Sequence, residues 1–383
     1  MHPSRLAHLL LLSCLTLTAL TPLSTRAAPF DSAQAPPFVS CTGEKISPAA
    51  SDWSVMGTGD IVAADDDSRN GKVFESFLPM FQSAKLVIGN LEGAITSYDK
   101  PRKRYVPGVS YAFRFPPAFA RELKAANFQV ISTANNHTFD YGPIGHTDTI
   151  KLLNDAQVQT TGDPGTFVIY QVGTLKLGIV ALAHYPAFNN VLDLEGSAKL
   201  VERVKAQSDL VILTYQLGAE GAAAARLPAG PEVFLGEARG DARAFARRMA
   251  QAGATALIGH GPHVVRAAEC INGVPVFHSV GNFVSIGGLS VNGLPSVSVA
   301  AEFLFDEKGQ LKGSRAWPVN LASTKLPLLD PSGRAVHLIN LLSQDAAQNY
   351  SGFKPLPLQG FENGLPEFRE WIKTTPLSGL NLP

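Results

Sequence analysis

In FQVISTANNHTFDYG, residues 128–142, an apolar run leads directly into a polar loop. The run over residues 128–132 has the length and composition of a buried strand. The loop after it carries two amides, an imidazole and a carboxylate within a few residues. Polar side chains at a strand end are typical of α/β proteins that bind a ligand at the edge of a sheet.

The same pattern, a polar side chain directly after an apolar run, occurs at four other places. Asp60, Glu92, Gln216 and the pair His260 and His263 all follow predicted strands. Helical stretches of about 10–15 residues separate these strands, which predicts a sheet-centred, layered α/β fold with helices on both faces. Because ligands bind beyond the carboxyl ends of strands in such sheets, we expect the five strand ends to converge on one site.

Two further segments complete the organisation of the chain. A helix is predicted over residues 238–253, and it carries four arginines. Residues 285–383 contain short strands and many Pro and Leu residues, and we interpret them as a sheet-edge extension or cap without chemistry of its own.

Composition excludes several classes of protein. Of the 383 residues, 45% are hydrophobic and 17% are charged, which excludes an intrinsically disordered chain. Lys plus Arg and Asp plus Glu are equal at 32 each, so no overall basic charge favours a nucleic-acid partner. Three cysteines are too few for a disulfide-built scaffold or a Cys-rich zinc module.

The first 27 residues have the order of a secretory signal: Arg5, then a leucine-rich apolar stretch, then small residues up to Ala27. An uncleaved anchor is the alternative. Residues 28–50 are rich in Pro, Ala and Ser and are predicted to be a linker or a wrapped N-terminal arm. No later apolar run approaches the roughly 20 residues that span a bilayer. We therefore expect a periplasmic or secreted protein with no stable membrane span after signal removal.

Signal removal leaves two cysteines, Cys41 and Cys270. In an oxidising compartment they could pair and tie the N-terminal segment to the second half of the fold. Sequence does not give the distance between them, so the pairing stays open at this point.

The residue types at the strand ends favour metal-assisted chemistry. Carboxylates together with imidazoles suit Mn, Fe or Zn better than Ca, which prefers all-oxygen ligands. One such ion, or a pair, lowers the pKa of a bound water and neutralises the oxygens of a phosphoryl or acyl centre. The competing chemistries lack their signatures, since neither a Gly-x-Ser-x-Gly elbow nor a P-loop occurs.

Six runs carry a family resemblance and occur in this order: GTGDIV (57–62), NLEGAI (90–95), YAFRFPP (111–117), ANNHTFDYG (134–142), GHGPHVV (259–265) and HSVGNFV (278–284). Together they resemble the CapA family of bacterial capsule and poly-γ-glutamate synthesis proteins, whose fold is similar to calcineurin-like metallophosphoesterases. The resemblance implies a domain over residues 51–300, followed by a C-terminal extension over residues 301–383.

The resemblance also implies roles for individual residues. Asp60 matches the first metal-ligand Asp, and Glu92 falls where a bridging carboxylate is expected. Asn136 and His137 are similar to the phosphoesterase Asn-His pair, in which Asn binds metal and His stabilises the leaving group. His260 and His263 match the outer histidines of a Gly-His-His-Pro-His segment. Asp140 is placed to orient His137.

Two departures from the family pattern concern the metal ligands. Gln216 stands where the family has His in a His-Trp-Gly-x-Glu segment, and Gly261 replaces the middle histidine of Gly-His-His-Pro-His. Gln binds a hard cation through oxygen but is a poorer ligand than His for Zn or Mn. The expected cofactor is therefore a divalent metal (Mn, Fe or Zn) as one ion, two ions or none.

Three cations are candidates for contact with an anionic substrate. Lys103 and Arg104 belong to a basic loop shortly after Glu92, and Arg114 could bind a carboxylate or phosphate bidentately, with a structural salt bridge as the alternative.

Two functions remain open. One is a metal-dependent hydrolase of phosphoester or polymer bonds that acts on an acidic envelope polymer. The other is a non-catalytic factor that binds or assembles such a polymer, together with other capsule-synthesis proteins, through a degenerate metal site.

Overall fold

The structure is a computed structural model that describes residues 35–62, 72–105 and 110–359. The predicted signal peptide, the first part of the predicted arm and the end of the predicted extension lie outside the described residues. Within the described ranges, no helix combines the length and apolar character needed to cross a bilayer.

Twenty strands run through the described ranges. In chain order they are β1 (Phe38–Val39), β2 (Lys45–Ile46), β3 (Trp53–Val62), β4 (Leu86–Leu91), β5 (Ala94–Ile95), β6 (Arg114–Phe115), β7 (Val130–Ser132), β8 (Gln159–Thr161), β9 (Val168–Val172), β10 (Leu175–Ala183), β11 (Leu210–Gln216), β12 (Glu232–Phe234), β13 (Glu237–Gly240), β14 (Ala256–His260), β15 (Ala268–Ile271), β16 (Val274–Phe277), β17 (Asn282–Ser285), β18 (Val297–Phe305), β19 (Leu311–Asn320) and β20 (Leu328–Leu329).

Six α-helices alternate with these strands in the same ranges: α1 (Leu78–Ser83), α2 (Phe119–Ala125), α3 (Gly142–Asp155), α4 (Leu194–Lys205), α5 (Ala242–Gln251) and α6 (Arg334–Asn349). Local sequence explains several of their starts. Asp193 caps α4 by accepting a hydrogen bond from the backbone of Gly196, and Asp241 caps α5 in the same way. Prolines occupy the first turns of α1 and α3, where a missing N–H costs nothing.

The strands form two large sheets. The first has the order β2-β1-β19-β18-β3-β4-β7-β8, with β17 paired to β3 and β20 paired to β19. The second has the order β15-β16-β14-β11-β10-β9. Strands β3, β4, β7 and β8 are parallel in the first sheet, and β10, β11, β14 and β16 are parallel in the second. These parallel blocks bring the predicted strand ends to the same edge.

The two sheets pack face to face through one large apolar cluster. It joins Val55 and Ile88 of the first sheet to Ile179 and Ile212 of the second. The approach is close at Gly57, where an added Cβ would lie 2.3 Å from the Cδ1 atom of Ile258. A side chain at that position would force the sheets apart, which is why the strand carries glycine there.

The outer faces of both sheets are covered, so the predicted layered α/β fold with helices on both faces is confirmed. A phenylalanine-rich cluster that includes Phe74, Phe81 and Phe119 covers the first sheet together with α1 and α2. On the second sheet, α4 and α5 bury Val201 and Phe245 against the strands.

Two sequence-based predictions need correction. Residues 238–240 lie in β13 rather than in the predicted helix, because Asp241 caps the helix and starts it at Ala242. Residues 285–359 are not only short strands: β18 and β19 are nine and ten residues long, and α6 is a sixteen-residue helix. The predicted domain boundary at residue 300 falls inside β18, which pairs with β3, and the division into domains remains a prediction.

The described part of the predicted arm, residues 35–50, adds two short strands to the edge of the first sheet, where β1 pairs with β19. The Phe38 ring stacks under the guanidinium of Arg315 at 4.0 Å, and Arg315 in turn donates to the buried carboxylate of Glu302. Cys41 forms a disulfide with Cys270 of β15, with Cα atoms 5.7 Å apart. The arm is thus bonded to both sheets.

The disulfide generates a stability prediction. Because it closes a loop over a sequence separation of 229 residues, replacing both cysteines with serine should lower the free energy of unfolding by about 2–5 kcal/mol. Urea unfolding of residues 28–383, with and without dithiothreitol, measures this. Reductant should destabilise the wild type to the level of the double variant and leave the double variant unchanged. Equal stability of the oxidised wild type and the double variant would contradict the prediction.

Candidate metal centre

The predicted strand ends converge between the two sheets. Asp60 near the end of β3 lies beside Asn90 of β4, and Gln216 at the end of β11 lies beside His260 at the end of β14. Contacts then cross from sheet to sheet: the Nδ1 atom of His260 lies 2.9 Å from the Oδ1 atom of Asp60. The expectation that polar residues after separate strands meet at one edge is therefore confirmed for these positions.

Asp60, Glu92 and His263 form the centre of the site. One ligand atom from each lies within 4.8 Å of the other two, and all three side chains are buried. The second oxygen of Glu92, Oε2, has no hydrogen-bond partner among the described residues, whereas the second oxygen of Asp60, Oδ2, lies 3.1 Å from Nδ1 of His263. A buried acceptor left unpaired costs about 1–3 kcal/mol, and more when it is charged. Glu92 Oε2 is therefore available to a positively charged ligand.

Neighbouring amides and an imidazole fix the orientation of these groups. Asn90 Nδ2 donates to Asp60 Oδ1 at 2.8 Å, on the same oxygen that His260 contacts. The Nδ1 atom of His263 lies 3.0 Å from Asn282 Oδ1 and 3.1 Å from Asp60 Oδ2. His263 holds this position with a φ of 58°, a left-handed conformation that is uncommon for a residue other than glycine.

The charged groups of the cluster shift one another's pKa values. Burial raises the pKa of Glu92 to about 8, and the negative charge of Asp60 adds to the effect. Burial alone would raise the pKa of Asp60 too, but its contacts with His260 and His263 hold that pKa well below the usual range. Burial would lower the pKa of His263, yet the carboxylates of Glu92 and Asp60 raise it to about 10. A proton on His263 thus balances the buried negative charge in this arrangement.

Gln216 binds two other site residues through its amide. Its Oε1 atom accepts from the backbone N–H of Asn136 at 3.0 Å, which orients the amide nitrogen the other way. The Nε2 atom then donates to Glu92 Oε1 at 3.2 Å and to Asn136 Oδ1 at 2.9 Å. An N–H group therefore stands between two oxygens that the family resemblance assigns to metal. The prediction that Gln216 ligates a metal remains a prediction, and its oxygen is already engaged.

Gly261 has a conformational reason to be glycine. Its φ is 107°, and an added Cβ would lie 3.0 Å from Cγ of Gln216 and 3.3 Å from the backbone of Leu217. A histidine at this position would be strained in this backbone. The two departures from the family pattern are therefore neighbours in space and fit each other.

His137 and Asp140 lie beside this cluster. The Nδ1 atom of His137 lies 2.7 Å from Asp140 Oδ2, and the same carboxylate oxygen accepts from the backbone of Phe113 at 2.7 Å. Lys103 Nζ approaches both, at 3.3 Å from His137 Nδ1 and 3.2 Å from Asp140 Oδ1. Burial lowers the pKa of His137, while the hydrogen bond to Asp140 opposes that shift. The predicted pairing of Asp140 with His137 is present.

The other two predicted substrate-binding cations have different surroundings. Arg114 is half-buried on β6, where it donates to the backbone oxygen of Ser97 at 3.4 Å and lies 5.9 Å from the ring of Tyr141. Arg104 is exposed. For both residues, substrate contact remains a prediction.

Sequence reasoning missed four residues of the site. Asn90, Asn282 and Asn135 orient the metal-centre side chains, the last by accepting from the backbone of His137 at 3.1 Å and donating to the backbone of Leu91 at 2.8 Å. Glu220 lies 3.9 Å from His263 Nε2 and is paired with the buried Arg239. All four lie inside the motifs named above. Their closeness in sequence to a predicted ligand is the feature that could have identified them as site residues.

Comparisons with known proteins agree with the motifs. The family model described as "Bacterial capsule synthesis protein PGA_cap" matches residues 52–286. "PGA biosynthesis protein CapA" of Bacillus subtilis is 28% identical over 229 residues, which cover 55% of this chain and 56% of that protein. "Capsule biosynthesis protein CapA" of Bacillus anthracis is 28% identical over 233 residues, which cover 55% of this chain and 53% of that protein. The chain thus spans about half the length of these two relatives.

Among solved structures, a 5'-nucleotidase precursor from Thermus thermophilus aligns at 14% identity with a TM-score of 0.40, over 78% of this chain and 59% of that chain. The family match rests instead on the sequence, since it covers more than half of the residues. The chain belongs to the PGA_cap family of bacterial capsule synthesis proteins.

Proposed function

We propose that this protein is a periplasmic member of a capsule or poly-γ-glutamate synthesis system, in which it hydrolyses a bond of an anionic envelope polymer or phosphoester with the help of one divalent cation. Family membership supports the biological setting, and the names of the two Bacillus relatives support the class of polymer. The predicted signal peptide supports the location. Other capsule-synthesis proteins are the partners that this setting implies.

One observation carries the chemical part of the proposal. Two buried carboxylates, Asp60 and Glu92, face the ring of His263, and within the described ranges Glu92 Oε2 lacks a hydrogen-bond partner while His263 alone approaches Asp60 Oδ2, at 3.1 Å. Burying two carboxylates together is unfavourable unless a positive charge accompanies them. In addition, their other oxygens are already held in place by Asn90, His260 and Gln216. The residues present therefore fit a cation.

The donor set indicates which cation would fit. Asp60, Glu92 and His263 would hold it, a mixture of oxygen and nitrogen that suits Mn, Fe or Zn. When bound, such an ion lowers the pKa of a water and neutralises developing negative charge. We propose one ion rather than two, because the Gln216 amide already donates to Glu92 and Asn136.

The residues beside the centre suit proton transfer. In hydrolysis, water adds to phosphorus or to an acyl carbon, the bond to the leaving atom breaks, and that atom takes up a proton. His137 is the group placed to supply this proton, since Asp140 fixes its ring and opposes the lowering of its pKa by burial. Lys103, paired with the same carboxylate, adds positive charge where an anionic substrate would approach.

A second candidate function has its own supporting observation. The Gln216 amide and the glycine at position 261 remove two imidazoles that the family resemblance assigns to metal. A site depleted in this way could serve an anionic-polymer binding or assembly factor without turnover. Binding of poly-γ-glutamate without hydrolysis, in a protein that lacks metal, would favour this candidate.

Metal content tests the centre directly. Residues 28–383, purified without chelator and incubated with Mn, should carry about one equivalent by elemental mass spectrometry. Asp60→Ala should reduce this severalfold because it removes a charged ligand, whereas Asp163→Ala, a partly exposed acid paired with His146, should not. A protein without metal after incubation would rule out the cation-dependent hydrolase.

Metal binding should also depend on pH. Burial raises the pKa of Glu92, and the neighbouring carboxylates raise that of His263 against the effect of burial, so at pH 7 this pair holds at least one proton that a cation must displace. Mn affinity should therefore rise between pH 6 and pH 8.5, and calorimetry in buffers of different ionisation enthalpy should show proton release. Affinity that is flat over this range would contradict the assigned ligands. Lys151→Gln, at an exposed pair, is the control.

His137→Ala tests the catalytic step. It should reduce kcat for p-nitrophenyl phosphate, or for shortening of poly-γ-glutamate followed by gel filtration, by about 10²–10⁴-fold. Mn content and polymer binding should remain, because His137 is not among the three clustered ligands. His337→Ala on α6 provides the matched control. Turnover by His137→Ala at the wild-type rate would show that His137 does not transfer the proton.

A further inference from the structure

An apolar cavity opens directly beside the candidate metal centre. It has a volume of about 310 Å³ and lies between the loop that follows β7 and the turn that follows β10. This volume is at the lower end of the range of small-molecule pockets. Lys103, Asn136 and Asp140 belong both to the cavity wall and to the site described above. A single ligand could therefore occupy both the cavity and the metal centre.

Aromatic side chains form much of the wall. The rings of Phe139 and Phe188 stack with centroids 5.6 Å apart and an interplanar angle of 25°. Tyr185, Pro186 and Ala187, in the turn after β10, also line the cavity. Aromatic rings pack most favourably against other aromatic rings in offset or edge-on arrangements, so such walls select for a ring.

Several polar groups of the wall are already engaged. The Tyr185 hydroxyl donates to Glu237 at 2.8 Å, and burial raises the pKa of this hydroxyl so that it stays neutral. Asn135 donates to Asn90 and to the backbone of Leu91. The cavity therefore presents ring faces and hydrocarbon from these residues. Lys103, with about a third of its side chain exposed, supplies a positive charge at the boundary with the site.

We infer that this cavity is a specificity pocket for an aromatic ring carried by the anionic substrate, with the anion at Lys103 and the metal centre and the ring packed against Phe139, Phe188 and Tyr185. That the ring belongs to a substrate rests on the proposed function. The ring itself is favoured over a flexible chain because the wall is built from stacked rings. It is favoured over a highly polar group because the hydroxyl and amide named above have other partners.

Ligand binding tests the pocket without turnover. Isothermal calorimetry on Mn-loaded residues 28–383 compares phenylphosphonate, cyclohexylphosphonate and methylphosphonate, none of which contains a hydrolysable ester. Phenylphosphonate should bind at least about tenfold more tightly than methylphosphonate and more tightly than cyclohexylphosphonate, because the ring gains burial and ring packing. Equal affinity for phenyl- and methylphosphonate, or no binding of either, would overturn the inference, and cyclohexyl binding equal to phenyl would overturn the aromatic class.

A cavity-filling variant locates the effect. Ala187 is exposed and lines the cavity, so the larger side chain of Ala187→Trp should fill the space for the ring. The variant should lose most of the preference for phenylphosphonate, and its affinity for methylphosphonate should stay within about twofold of the wild-type value. Ala125→Trp, at an exposed alanine of α2 outside the cavity, should change neither affinity. If Ala187→Trp weakened both ligands equally, the ring would lie elsewhere.

This result is separable from that of the proposed function. If the protein preferred phenylphosphonate but showed no turnover, the proposed hydrolase activity would be contradicted and the inference of an aromatic pocket would still hold. Turnover with about one metal equivalent and no phenyl preference would contradict the pocket alone.

Discussion

The contact between Asp60 and His260 is the interaction on which the site depends, because it joins the two sheets at their common edge. Asp60 belongs to β3 and His260 to β14, and the main core packs between the sheets that contain them. A fully buried carboxylate is tolerated here only because imidazoles and an amide surround it. Its two oxygens are divided between these groups, with His260 and Asn90 on Oδ1 and His263 on Oδ2.

Gln216 shows how a fold is kept while its chemistry changes. An amide at this position satisfies Glu92 and Asn136 by hydrogen bonds, so the side chains remain ordered without a metal between them. The neighbouring Gly261 leaves space for the Cγ atom of Gln216. These two residues act together, and Gln216 joins them to the carboxylate–imidazole cluster through Glu92.

Much of the architecture could be predicted from short patterns. Apolar runs followed by Asp60, Glu92, His137, Gln216 and His260 identified strands β3, β4, β7, β11 and β14, because a buried strand and its polar end are both local features. The convergence of these ends followed from the general behaviour of parallel sheets. The pairing of Asp140 with His137 was accessible for the same reason, since three residues separate them.

The features that could not be predicted depend on contacts distant in sequence. Asn282 reaches His263 only through the pairing of β17 with β3, and Asn90 reaches Asp60 through the register of β3 with β4. The orientation of the Gln216 amide is set by a backbone N–H eighty residues away. Helix α6 begins after Gly333 without a side-chain cap, so its start carries no local sequence signal.

The position of the N-terminal arm has a consequence for the order in which the chain assembles. Strand β1 pairs with β19, and Cys41 is bonded to β15, so the earliest described residues require partners beyond residue 267 and, for the sheet, beyond residue 310. A chain that emerges from its N-terminus cannot complete either contact until most of its length is free. Strands β1 and β2 therefore precede most of the described chain in sequence but are among the last of its elements to pair, because the sheet edge closes only after β19 is present.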